Sequence, residues 1–129
     1  MKIRSIMTCT AIMLLTISLK AFAVQIVPIP LVNMTKAAGV FSNTAPDQAV
    51  LVTSTGNATL TGDGDMVVIE QGGNATIYGD NEKVYMKNGA TATITGSDNI
   101  VYYENGSKVT SVGGRSRVTQ VDGFNSSPS

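Results

Sequence analysis

The groups able to do acid–base or metal chemistry in this chain are carboxylates: Asp47, Asp63, Asp65, Glu70, Asp80, Glu82, Asp98, Glu104 and Asp122. Catalysis asks such groups to converge on a pocket, paired with one another or with an imidazole or thiolate. The 129 residues contain no histidine and a single cysteine, Cys9. Imidazole bases, disulfides and zinc sites of the His/Cys kind are therefore excluded, and any thiolate chemistry would belong to the first few residues. Nearly all the carboxylates stand in short Gly- and Asn-rich turns or on outward strand places. Polysaccharide-cleaving β-helices carry their sites on long loops, and no loop here exceeds a few residues, so no catalytic residue is assigned. Calcium favours clusters of carboxylate and carbonyl oxygens, and Asp63, Asp65, Asp80, Glu82 and Asp98 would share one corner if the chain coils. The opposite turns hold only Gln, Asn or Asp before glycine, unlike the glycine-rich nonapeptides of calcium-dependent β-rolls. A structural role for the acids is expected, with no metal and no cofactor.

The elements that position these groups begin after an export signal. Lys2 and Arg4 precede an apolar stretch from Ile6 to Leu19, and Ala21-Phe22-Ala23 has the small-x-small form of a cleavage site. Cleavage before Val24 would leave 106 residues, a single small domain. The apolar run is shorter than the ~20 residues a spanning helix needs, so no membrane span is expected after cleavage. Three of the nine basic residues, Lys2, Arg4 and Lys20, go with the signal, leaving six against nine acidic. That mildly acidic balance argues against nucleic acid as a partner.

The rest of the chain repeats. Blocks starting at Gly56, Gly73, Ala90 and Ser107 align without a gap at a period of 17. The fourth place is Thr59, Thr76, Thr93 and Thr110; the seventh is Gly62, Gly79, Gly96 and Gly113; the twelfth is Val67, Val84, Val101 and Val118; the last is Gly72, Gly89, Gly106 and Gly123. A fainter block from Gly39 to Thr55 keeps Val50 and Val52 in register. Each block reads as two short strands separated by two turns. Ala58 and Leu60, Ala75 and Ile77, Ala92 and Ile94 alternate with threonine, as a half-buried strand requires. Val67 and Ile69, Val84 and Met86, Val101 and Tyr103 point inward along the second strand, leaving Val68, Tyr85 and Tyr102 among its outward neighbours with Lys83, Lys87, Glu70 and Glu104.

Two all-β architectures satisfy this pattern. In a parallel β-solenoid, or β-helix, each 17-residue block is one coil and like residues stack in columns. In an antiparallel β-meander, Asn88-Gly89 and Asn105-Gly106 would be hairpin turns. The gap-free period favours the solenoid, because stacked coils penalise any change of length. No helix is expected beyond a short turn near Asn33 to Ala38. Phe41 could cover the first apolar layer and Phe124 the last, while Arg115 and Arg117 place charge on the final coil, where an open edge would otherwise template pairing. The chain thus divides into a signal peptide over 1–23, an extended segment over 24–38, the solenoid over 39–123 and a disordered tail over 124–129.

Gly96-Ser97-Asp98-Asn99-Ile100-Val101-Tyr102-Tyr103, Gly106-Ser107-Lys108-Val109-Thr110 and Gly113-Gly114-Arg115-Ser116-Arg117-Val118 carry a resemblance. They are similar to a bacterial family of small exported proteins, a domain of unknown function built from Gly, polar, Asn, small and Val units. The resemblance covers roughly Gly56 to Gln120 and implies a β-helical fold and an envelope location, without catalytic residues. Arg115 and Arg117 depart from the pattern, which expects Gly or Asn and an apolar residue in that turn.

The most specific surface feature is the outward threonine row: Thr59, Thr61, Thr76, Thr93, Thr95 and Thr110. Stacked coils would set these ~4.8 Å apart between coils and ~6.8 Å apart along a strand. Threonine is also simply a favoured solvent-facing strand residue, and Tyr78 and Val112 interrupt the array. The residues favour an exported, periplasmic or extracellular, non-enzymatic module of the cell envelope, binding a protein or glycan there, with self-association also open. Its competitors are a self-assembling matrix or amyloid-like subunit, an ice-binding protein and, last, a carbohydrate-active enzyme.

Overall fold

The computed structural model describes residues 24–30 and 32–125, so the expected signal peptide and the end of the expected tail lie outside the described residues. Eleven strands follow one another: β1 (Ile26–Val27), β2 (Thr35–Asn43), β3 (Ala49–Thr61), β4 (Met66–Ile69), β5 (Asn74–Tyr78), β6 (Lys83–Met86), β7 (Thr91–Thr95), β8 (Ile100–Glu104), β9 (Lys108–Val112), β10 (Arg117–Val121) and β11 (Gly123–Phe124). Every pairing between them is parallel. β5 pairs with β7 and β7 with β9 on one face, and β4 with β6, β6 with β8 and β8 with β10 on the other. Val67, Val84 and Val101 are Cα partners in succession. A meander would have reversed direction at each step, so the fold is a parallel β-solenoid of about five turns. β3 runs from one face into the next and so joins both into one sheet.

The columns that the repeat predicts are the core. Ala58, Ala75 and Ala92 stack beside Leu60, Ile77 and Ile94, facing Val50, Val67, Val84 and Val101, all essentially without solvent exposure. Each large aliphatic side chain buried in this way contributes about 1.5–3 kcal/mol. Phe41 packs partly buried against this core at the place where later coils hold alanine.

The seventh-place glycines owe their identity to coil spacing. A Cβ on Gly79 would collide with the carbonyl oxygen of Gly62, one on Gly96 with that of Gly79, and one on Gly113 with that of Gly96. The ninth-place residues Asp47, Asn81, Asp98 and Arg115 share a φ near +58° (54, 59, 59 and 58°). Arg115 therefore preserves the turn despite departing from the sequence pattern, and its guanidinium pairs with Asp98 one coil below at 2.8 Å.

Three expectations change. The segment around Asn33 to Ala38 is extended, not a turn: β2 begins at Thr35, and Thr35, Lys36 and Ala37 pair with Val50, Leu51 and Val52 as part of a preceding coil. Ala37 is fully buried there, and that burial favours the strand. The outward residues Leu51, Val68 and Tyr85 are also buried, at 4, 0 and 5% exposure. They form a second apolar cluster with Ile29, against which Val27, Met34, Met66, Tyr102 and Phe124 pack. The N-terminal arm covers this face, while Lys83 stays exposed and Glu104 half-buried. Phe124, expected in the tail, lies in β11, pairs with Val27 and sets its ring edge-on to Tyr85, centroids 5.9 Å apart.

Candidate functional site

Among the described residues, nothing covers the face built from the first strand of each coil. Its fourth-place column runs Ser42, Thr59, Thr76, Thr93, Thr110 as successive Cα partners. Its sixth-place column brings Thr61, Tyr78, Thr95 and Val112 into the same register. All six threonines singled out by the sequence therefore lie on one surface. Thr59, Thr61, Thr93 and Thr110 are exposed, and Thr76 and Thr95 are half-buried. Strict alternation produces the arrangement: the inward partners Ala75, Ile77, Ala92 and Ile94 are buried, so the residues between them must face out.

A third column completes the surface: Val40, Asn57, Asn74, Thr91 and Lys108, also in register. The same alternation carried two places toward the start of each block identifies it from sequence. Tyr78 and Val112, which read as interruptions of the threonine array, are 47 and 54% exposed and belong to the same plane. Lys108 is the one ammonium or carboxylate group on these three columns. The surface offers hydroxyl and amide groups that both donate and accept hydrogen bonds, methyl groups for apolar contact, and almost no charge.

Four of the carboxylates that opened the chemical question, Asp63, Asp65, Asp80 and Glu70, are engaged in links between coils. Asp63 Oδ1 accepts the N–H of Asp80, and Asp80 Oδ1 accepts the N–H of Ser97, each at 2.8 Å. Asp65 Oδ1 accepts the N–H of Gln48 at 2.8 Å. Glu70 lies 3.9 Å from Lys87. All four links join coil to coil, and the three aspartates satisfy backbone donors that the turns would leave open.

Sequence reasoning missed the tenth-place column. Gln48, Asp65, Glu82, Asn99 and Ser116 stand between the glycine turn and the second strand, and Asp65, Glu82 and Asn99 are buried at 2, 0 and 0% exposure. Five polar residues at one place of the repeat were the available signal. Burial pushes the Asp65 carboxyl up, with the charges of Asp47 and Asp63 adding to it against a backbone N–H from Gln48. Burial, followed by the Asp65 charge, pushes Glu82 up to about 8 against the backbone N–H groups of Asp65 and Gly64. Among the described residues, no group of three or more His, Cys, Asp or Glu side chains is placed to hold a metal ion. Nor is any helix there long and apolar enough to cross a membrane. No protein-family model, curated protein or solved structure matches this chain.

Proposed function

We propose that this protein is an exported, non-enzymatic binding module of the cell envelope, and that its threonine face holds a repeating, uncharged partner such as an envelope glycan or a regular protein surface. The in-register column Thr59, Thr76, Thr93, Thr110 carries the reading. A ladder of hydroxyls at ~4.8 Å intervals suits a partner with a periodicity of its own. The three columns span roughly 19 by 14 Å, well below the ~800 Å² per partner that a stable globular interface takes. A polymer engaging many such faces would gain through multivalency what one face lacks.

Engagement of Asp63, Asp65, Asp80 and Asp98 in links between coils supports the non-enzymatic part. The signal-like N-terminus supports export, and the likeness to a family of small exported β-helical proteins agrees with an envelope location. The test replaces Thr76 and Thr93 with Lys and compares the double variant with the wild type on an array of envelope glycans and envelope protein fractions. Circular dichroism should be unchanged, because the side chains leave the core untouched, and retention should fall. Equal retention of both proteins would move the site off this face.

A further inference from the structure

The solenoid has two ends, and they differ. At the first, β2 shifts its register on β3 between Ala37 and Gly39, where Gly39 takes φ of 73°, and the Thr35–Ala37 half-coil overhangs the face below Val50. A bulge of this kind bends an edge and spoils it as a template. At the other end, β9 and β10 keep full register over Lys108–Val112 and Arg117–Val121, and among the described residues no strand pairs with their far sides.

That far edge is open in its backbone and in its interior. Lys108 N–H is bonded to Ala90 O at 2.9 Å and Arg117 N–H to Asn99 O at 2.8 Å, both toward the coil below. Successive residues of a strand alternate between its two neighbours. Val109 and Ser111 in β9, and Val118 and Gln120 in β10, therefore direct their N–H and C=O groups outward. Val118 is 42% exposed, whereas its counterpart Val101 one coil below is fully buried. Ser111 and Gln120, at inward places of the repeat, are exposed as well.

The charge on this coil selects the occupant. Lys108, Arg115 and Arg117 make this coil net basic, its one carboxylate, Asp122, already accepting the Gln25 N–H, on a chain that otherwise carries more acid than base once the first 23 residues are set aside. Two copies meeting through this end would oppose like charges, and the other end of a second copy presents the bulge and the overhang. A cleft of about 570 Å³ lies at the same corner, lined by Asp98, Ile100, Arg115, Ser116 and Arg117. Asp98 is occupied by Arg115, which leaves Arg117 to receive an incoming carboxylate.

We propose that β9 and β10 dock an extended acidic segment of another protein, which adds a strand to the open edge and sets its carboxylates toward Arg117 and Lys108. The contact uses the backbone edge of the last coil rather than the hydroxyls of the threonine face, with which it shares Lys108.

The test titrates the full chain with a fluorescent ten-residue peptide of alternating Val and Glu, and with the same peptide carrying Lys for Glu. The Glu peptide should bind about tenfold or more tightly than the Lys peptide, the equivalent of one good charge contact, and should weaken with salt. Val118→Pro removes an N–H that points away from the coil, so the fold should persist while peptide binding drops about tenfold. Arg117→Glu should reverse the preference between the two peptides, and it decides the matter if the proline variant does not fold. Equal binding of both peptides, or an Arg117→Glu variant that keeps the wild-type preference, would overturn the proposal. A concentration-dependent dimer abolished by Arg117→Glu would overturn it too, by making a second copy the occupant.

Discussion

The backbone N–H of Glu82 donates to Asn99 Oδ1 at 2.8 Å, one coil up the same inward column. Asn99 in turn donates from Nδ2 to Gly79 O at 3.2 Å, and Ser116 repeats the pattern by accepting the Asn99 N–H at 3.2 Å and donating from Oγ to Gly96 O at 3.5 Å. Asn99 and Ser116 thus each accept from the coil below and donate to a glycine carbonyl. Glu82 breaks the rule. Both its carboxyl oxygens are buried and neither receives a well-aligned hydrogen bond, although the backbone N–H groups of Asp65 and Gly64 face them, and Oε1 and the Gly62 carbonyl crowd the same spot beside Gly79. A carboxylate has no proton to donate there; a carboxylic acid does.

Glu82 is accordingly held as the neutral acid through much of the pH range, with its pKa pushed up from 4.5 to about 8 by burial and then by Asp65. Since the folded value lies above the unfolded one, its contribution is present in full below pH 4.5 and is lost as pH rises to about 8. Wild-type melting temperature should fall across that window. Glu82→Gln supplies a permanent donor in the same volume and should remove this part of the pH dependence. At pH 8 it should raise stability by about 1 kcal/mol or more, roughly 4–8 °C. Melting curves with the same pH slope in both proteins would show that Glu82 is not the group that titrates.

Gly96→Ala should damage the fold although it adds one methyl group. Its Cβ would meet the Gly79 carbonyl one coil below, and the backbone stands at φ of 144°, a conformation L side chains rarely adopt. A loss on the order of 2–4 kcal/mol is expected in thermal or urea unfolding. Gly114→Ala is the control: nothing lies within 4 Å of its added Cβ, and its stability should stay near that of the wild type.

Ile29→Ala should release the N-terminal arm while the coils remain. Ile29 is 2% exposed and is the arm's anchor in the cluster with Leu51, Val68 and Tyr85. The cavity costs about 2–5 kcal/mol locally, set against arm contacts that include the short β1–β11 pairing, the packing of Val27 and Met34, and the Gln25 N–H to Asp122 Oδ2 bond at 2.6 Å. Limited proteolysis should cut the variant faster between positions 24 and 34 and then stop at a resistant core. Cleavage within the coils at the same rate would mean that the arm and the solenoid unfold together.

The sequence by itself determined the coil. Gly62, Gly79, Gly96 and Gly113, the Val67, Val84, Val101 column and the threonines opposite Ala and Ile recur at 17 residues, and parallel stacking is the arrangement in which that period brings like residues together. The threonine face followed from the same alternation, since a repeat writes the direction of every side chain once per coil. Only the tertiary structure decided what the repeat does not encode. Ile29 and Phe124 lie outside the blocks, so nothing periodic announces that they cover Val68 and Tyr85. Glu82 reads as another turn acid until its neighbours Asp65 and Asn99 are seen stacked about it in the interior. The unequal ends likewise depend on a single register shift at Gly39 and on which strand is last, properties of the finished stack that no single coil contains.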